Sequence, residues 1–242
     1  MKRLHALVAP LASASDIITV VLASLSVLGW TVKTVPLAAA REVKSEPYVL
    51  IDHGTGSPVA WDCSKPIRVA VNSNALPADL RREVIGELAA VLRTISSHSP
   101  FALSLAGSTD REPSTQWGSQ WLSDQSEPPV IFYVGDPSRS DLWRPGRAAV
   151  GGSFGVLQGD QRTEAVAGYV VISVDHLHDY FPGHGYRSRG ALFTHELLHV
   201  LGLDHTDHPT SMMTPRISDG SGEMGEGDLA GLRRLAAVGC GY

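Results

Sequence analysis

Cysteine is scarce in this chain: Cys63 and Cys240 are the only two in 242 residues. None precedes Cys63, which excludes a lipoprotein anchor at the end of an N-terminal export segment. Charge is modest as well. Charged residues make up 19%, the formal net charge is −5 and the pI is near 6.0. No basic cluster is interleaved with aromatics, so nucleic acid is set aside as a partner. There is no internal repeat, and no spacing of acidic residues forms an EF-hand loop. Long apolar runs are also lacking. The second apolar stretch near the N-terminus, IITVVLASLSVLGWTV over 17–32, falls short of the roughly 20 residues a spanning helix needs.

The N-terminal pattern reads as an export signal. Lys2, Arg3 and His5 form a positive start, apolar stretches follow over 6–15 and 17–32 around Asp16, and Ala38-Ala39-Ala40 supplies a small-residue cleavage site. A cleaved signal peptide over 1–40 is expected, with an uncleaved anchor as the alternative; a membrane is a partner only in that second case. Residues 41–60 are polar and dotted with Pro and Gly, which reads as a linker or a short pro-segment, with His53 in an exposed loop. The domain proper is expected over 61–242. About 200 residues after export is room for one domain with a real core, expected to be a secreted monomer. Export implies an oxidising compartment, and an even cysteine count there predicts a Cys63–Cys240 disulfide. The competing reading makes Cys63 a thiolate that blocks a metal in a zymogen.

Periodicity predicts strands over 66–71, 101–106, 130–135, 148–152 and 168–174, with 153–167 lying between the last two. A helix is expected over 77–96, where Leu80, Val84, Leu88, Val91, Leu92 and Ile95 follow helical spacing. Residues 107–128 and 136–147 read as surface loops. A closing helix is expected over 227–238, with Asp228 as its N-cap.

Residues 191–201 (ALFTHELLHVL) lack Gly and Pro and read as a helix. Its continuation gives His195-Glu196-Leu197-Leu198-His199-Val200-Leu201-Gly202-Leu203-Asp204-His205, the pattern H-E-x-x-H-x-x-G-x-x-H. On a helix, positions i and i+4 share a face, so His195 and His199 can turn ring nitrogens toward one zinc ion at about 2.0–2.1 Å. Gly202 can take positive φ and turn the chain, which brings His205 back as a third ligand. Three protein ligands leave a fourth position for water, the mark of a catalytic zinc. Glu196 sits beside that face, placed to accept a proton from the water as general base and to return it to the leaving amine.

With these residues the chain resembles the metzincin metallopeptidases of the matrixin branch. The segment Ser211-Met212-Met213-Thr214-Pro215 is similar to their Met-turn, with Met213 as the turn methionine, a packing residue under the ligands. The resemblance is specific over about 190–215. It implies an α+β zincin fold with a twisted mixed sheet, an active-site helix and a C-terminal helix. It also implies an edge strand over the cleft that pairs with a protein or peptide substrate, for which 148–157 is the candidate. The chain departs from the branch at Thr206, where Ser is common, and at Thr214, where a Tyr is common. It lacks the PRCGxPD cysteine-switch motif.

Other groups are weaker signals. Asp175-His176-Leu177-His178-Asp179 with His184 is polar and metal-friendly, and Asp136, Asp141 and Asp160 offer oxygen ligands for Ca²⁺. Asp204 or Asp207, or else a backbone carbonyl, is expected to orient a ligand imidazole. The function expected is a secreted zinc endopeptidase. Its rivals are an inactive zinc-binding relative, a membrane-tethered surface protein, and a zinc amidase acting on a small molecule.

Overall fold

The computed structural model describes residues 47–180, 189–215 and 223–240. All of them belong to the unit Lys44–Tyr242. The export signal expected over 1–40, and with it the unit Met1–Val43, lies outside the described residues.

Alternating side chains build a sheet with two unequal faces. Strand β1 is Val49–Leu50 and β2 is Val59–Trp61; β3 (Ile67–Asn72) leads into helix α1 (Ala78–His98), and β4 (Leu103–Ser108) into α2 (Trp117–Ser123). Then come β5 (Val130–Gly135), β6 (Ala149–Leu157) and β7 (Thr163–Ser173), followed by α3 (Arg189–Leu201), β8 (Leu203–Asp204) and α4 (Glu226–Gly239). Val69 and Val71 of β3, Val130, Phe132 and Val134 of β5, and Val170 and Ile172 of β7 face the large core. Ala70 and Ile131, which alternate with them, and Ala167 of β7 join Trp117 in a smaller cluster on the other face. Helices α1 and α3 pack on the first face and α2 on the second.

Strands β4, β3, β5 and β7 run parallel in that spatial order. Strand β2 continues the line of β5 along one edge of β7, while β6 runs antiparallel along the other. The architecture is therefore α+β with a mostly parallel mixed sheet. Strand β6 lies at its edge, as expected for 148–157.

Helix α1 buries Val84, Leu88, Val91, Leu92 and Ile95, the stripe its spacing predicts. Helix α3 is buried almost all round. Its start is tied to α1: the Glu87 carboxylate accepts from Gly190 N at 2.8 Å and from Arg189 Nε at 2.9 Å. A carboxylate at a helix N-terminus satisfies otherwise orphaned N–H groups.

Three expectations are corrected. The segment 41–60 is no linker beyond Pro47. Strand β1 pairs antiparallel with β8, β2 pairs with β7, and Val59 and Ala60 are buried. Its polar average hides two short apolar runs, VLI and VAW. The segment 107–128 is not all loop: Trp117 and Trp121, one helical turn apart, make α2 and cover the small face, and their indole N–H groups donate to Pro129 O and Glu127 O. Residues 149–157 and 163–173 form one long hairpin, where the periodicity predicts two shorter strands. Glycines at 151, 152 and 155 disguise the first of them, because strand propensity counts Gly as a breaker.

Cys63 and Cys240 form a disulfide across a separation of 177 residues. It joins the end of β2 to the end of α4 and leaves Cys63 no thiolate to offer a metal. Among the described residues no helix is long and apolar enough to cross a membrane.

Candidate metal centre

Gly202 ends α3 with φ of +112°. A Cβ there would lie 2.5 Å from Val59 O, so only glycine fits both the left-handed turn and the close pass of β2. The reversal leads through β8 to His205 and brings three imidazoles together. Nε2 of His205 lies 3.2 Å from Nε2 of His195 and 3.2 Å from Nε2 of His199. One ligand atom from each of the three can be chosen so that all lie within 4.8 Å of one another.

These distances test the fit of a metal. Two nitrogens at about 2.0–2.1 Å from a tetrahedral zinc stand roughly 3.3 Å apart. The two close pairs match that spacing, so the donor set fits a small divalent ion bound by imidazoles.

The other ring nitrogens prepare the set. His195 Nδ1 donates to Met212 O at 2.8 Å, and His199 Nδ1 donates to Leu203 O at 2.8 Å. A carbonyl only accepts, so each Nδ1 carries the proton and each Nε2 lone pair points inward. Backbone carbonyls thus orient both helix imidazoles. Asp204 instead receives the backbone N–H of His205, and Asp207 is an exposed loop residue. Burial pushes the imidazole of His195 down to about 4 and that of His199 to about 3. His205 is lowered too, chiefly by burial, against the charge of Asp204. All three are neutral, as ligands must be, at neutral pH.

Met213 is buried in the main core, and its carbonyl accepts from Thr206 N at 3.0 Å, closing the loop that follows His205. Beside it lies a residue whose role differs from the one expected. Asp228 is not the N-cap of α4; Gly225 is, and Asp228 stands three residues on. Its buried carboxylate accepts from Gly225 N at 2.8 Å, Met212 N at 2.8 Å and the Ser211 hydroxyl. A chain of hydrogen bonds therefore runs from α4 through the Met212 peptide to His195. Gly225 has no side chain, so only the return half of a capping box forms, from Asp228 back to Gly225 N.

Glu196 is buried on α3 next to His195. Burial raises its carboxyl to about 8, against the lowering charge of Arg147. Across from it stands Gly151 of β6, where a Cβ would come within 2.3 Å of Glu196 O and 3.0 Å of Glu196 Oε2. Residues 144 and 146–151 face His195, Glu196, His199, His205 and Pro215 across a cleft of about 580 Å³. Gly151 and Arg147 are not among the residues the motif points to. A Gly-Gly pair inside a strand was the available signal for the first, since it marks a close backbone approach. Nothing in the local pattern marked Arg147.

The remaining candidates do not gather. Asp136 accepts from Ser138, Asp141 from Thr115 and Asp160 from Arg162, all at exposed sites. These hydrogen bonds lower all three carboxyls. Asp175 and His176 lie in a 3-10 helix over Val174–Tyr180, whereas the side chains of His178 and Asp179, and all of His184, lie outside the described residues. Among the described residues, the three histidines are the group able to hold an ion. His53 and His208 are exposed.

Comparison with protein-family models finds none that matches the chain, and comparison with curated proteins finds no match either.

Proposed function

We propose that this chain is a secreted, zinc-dependent endopeptidase of the matrixin-like metzincin type. The observation that carries the reading is the convergence of His195, His199 and His205 beside a buried Glu196, in a cleft walled by an edge strand. His195, His199 and His205 would hold the zinc through Nε2. Bound there, zinc supplies Lewis-acid polarisation of the scissile carbonyl and makes water acidic near neutral pH.

The chain's own residues supply the rest. An extended peptide pairs with the outer edge of β6, where the strand has no neighbour among the described residues. Glu196 accepts a proton from the attacking water and hands it to the leaving amine. In the metal-free protein burial holds the proton on this carboxyl up to about 8; the charge of a bound zinc ion would lower it and free the carboxylate to act as a base near neutral pH. Gly151 gives that carboxylate room. The Asp228–Met212–His195 chain holds the first ligand ring in one orientation. Thr214 cannot act as a phenol donor to the oxyanion, so any donor there must come from another residue or from the metal.

The test is cleavage of casein by the zinc-loaded full chain beside its Glu196→Ala variant. Wild-type cleavage with a loss of at least about a thousandfold in the variant is expected, the scale of removing a general base and its positioning together. A folded, zinc-loaded wild type that cuts neither casein nor a broad peptide library would sink the peptidase reading and leave a zinc-binding module. Equal cleavage by both would point to a contaminant.

A further inference from the structure

Among the described residues, the cleft carries the opposite charge to the chain as a whole. The formal net charge is −5, yet the described charged side chains lining the cleft, imidazoles aside, are Arg144, Arg147 and the buried carboxylate of Glu196. The two arginines are not equivalent. The Arg144 guanidinium donates to Asp141 O at 3.1 Å and Trp143 O at 3.0 Å, turned back on its own loop. Arg147 is exposed, and among the described residues no carboxylate forms an ion pair with it. It lines the same cleft as Glu196, His199 and His205.

A guanidinium left without a counterion on the wall of a cleft is a ready carboxylate receptor, because its planar fork pairs with two oxygens at once. We infer that Arg147 is a specificity-determining residue that binds a carboxylate of the peptide lying along β6. This inference deepens the peptidase reading and rests on it. The register limits where that carboxylate sits. Gly151, which abuts Glu196, is four residues from Arg147; β6 begins only at Ala149 and Arg147 lies in the turn before it, so the two are at most about 13 Å apart along the chain. A carboxylate within about four residues of the scissile bond is therefore in reach. It is either an Asp or Glu side chain or the C-terminal carboxylate of a short peptide. A metal dication in the same cleft adds to the field that draws an acidic peptide in, while the negative remainder of the surface does not.

The experiment measures binding and cleavage separately. The zinc-loaded full chain carrying Glu196→Gln, which prevents turnover, is titrated with fluorescein-labelled peptides in matched pairs. In one arm Glu replaces Gln at each of four positions on either side of a fixed central bond. In the other a free C-terminus replaces an amide. Tighter binding of one acidic member by about tenfold is expected, the scale of one charge-assisted hydrogen bond. Adding Arg147→Glu should abolish the preference or turn it toward the neutral member of the pair, and Arg147→Lys should keep part of it. Which arm responds tells a side-chain carboxylate from a terminal one. Equal binding across every pair, or an acidic preference that survives Arg147→Glu, would overturn the inference. Cleavage of the same peptides by the wild type is scored apart: turnover with no acidic preference rejects the role of Arg147 alone, and preferential binding with no turnover rejects the peptidase reading alone.

Discussion

The two walls of the cleft are made differently. On one side α3 is buried nearly all round, and two of its histidines are each held by a backbone carbonyl at 2.8 Å. On the other, β6 is an edge strand with three glycines, entered through an exposed turn that carries Arg147. The first wall is over-determined by the core, as a site built on rigid elements should be. The second leaves backbone groups and a guanidinium open to solvent, where a ligand can meet them. On the proposed reading, chemistry would fall to a helix locked into the core and recognition to a strand that has no outer neighbour among the described residues.

The largest expected effect ignores that division. Replacing Cys63 and Cys240 together by Ser removes a link spanning 177 residues. In the chain-entropy account this costs about 4–5 kcal/mol. Equilibrium urea unfolding of oxidised wild type against the variant would measure it, and a loss under about 1 kcal/mol would show that the tie is idle.

Next comes the buried wall. Asp228→Asn cannot accept from Met212 N, Gly225 N and the Ser211 hydroxyl at once, since one of its two side-chain atoms becomes a donor. A destabilisation of about 2–4 kcal/mol is expected, with zinc affinity lower by roughly 10–100-fold through His195. Competition with a zinc chelator reads the affinity directly. Unchanged affinity in a destabilised protein would reduce Asp228 to a structural cap.

The open wall has one intolerant point. Gly151→Ala places a Cβ against Glu196, while at Gly159, in the hairpin turn of the same strand, a Cβ meets nothing within 4 Å. The first change should cost about 1–3 kcal/mol, with about a hundredfold loss of kcat/KM from a displaced Glu196. The second should stay within about 0.5 kcal/mol. Similar behaviour of the two would mean that β6 does not press on the active helix.

The last effect is on pH. In the metal-free protein the unfolded chain takes protons on His195 and His199 below their ordinary 6.5, whereas the folded chain resists until about 4 and about 3. Stability therefore falls as pH drops below 6.5. Glu196 works the other way: folded, it keeps its proton up to about 8 against an ordinary 4.5, so it contributes stability that is lost as pH rises toward 8. Two histidines outweigh one glutamate below 6.5, and Glu196 alone sets the slope above it. Thermal unfolding of metal-free protein should peak near pH 6.5, and Glu196→Gln should flatten the limb between 6.5 and 8. A limb that stays equally steep in that variant would assign it to another group.

How much was legible depends on the range of each interaction. The three histidines that converge, Glu196 and the turn glycine lie within eleven consecutive residues, 195–205, so helical periodicity and the freedom of glycine were enough to bring them together on paper. The buried stripe of α1 and the apolar strand β5 were legible for the same reason, and the pairing of two cysteines came from their number. Tertiary structure decided everything that depends on strands meeting across the chain. It brought β1 and β2, from a segment whose average composition looks like a linker, into two sheets. It set Gly151 against Glu196, Asp228 beneath the Met212 peptide, and Arg147 across the cleft from the histidines, between residues 16 to 58 positions apart. Local pattern carries the spacing of side chains along one element. Which element will face it is set by packing, and here packing supplied the second wall of the cleft and its charge.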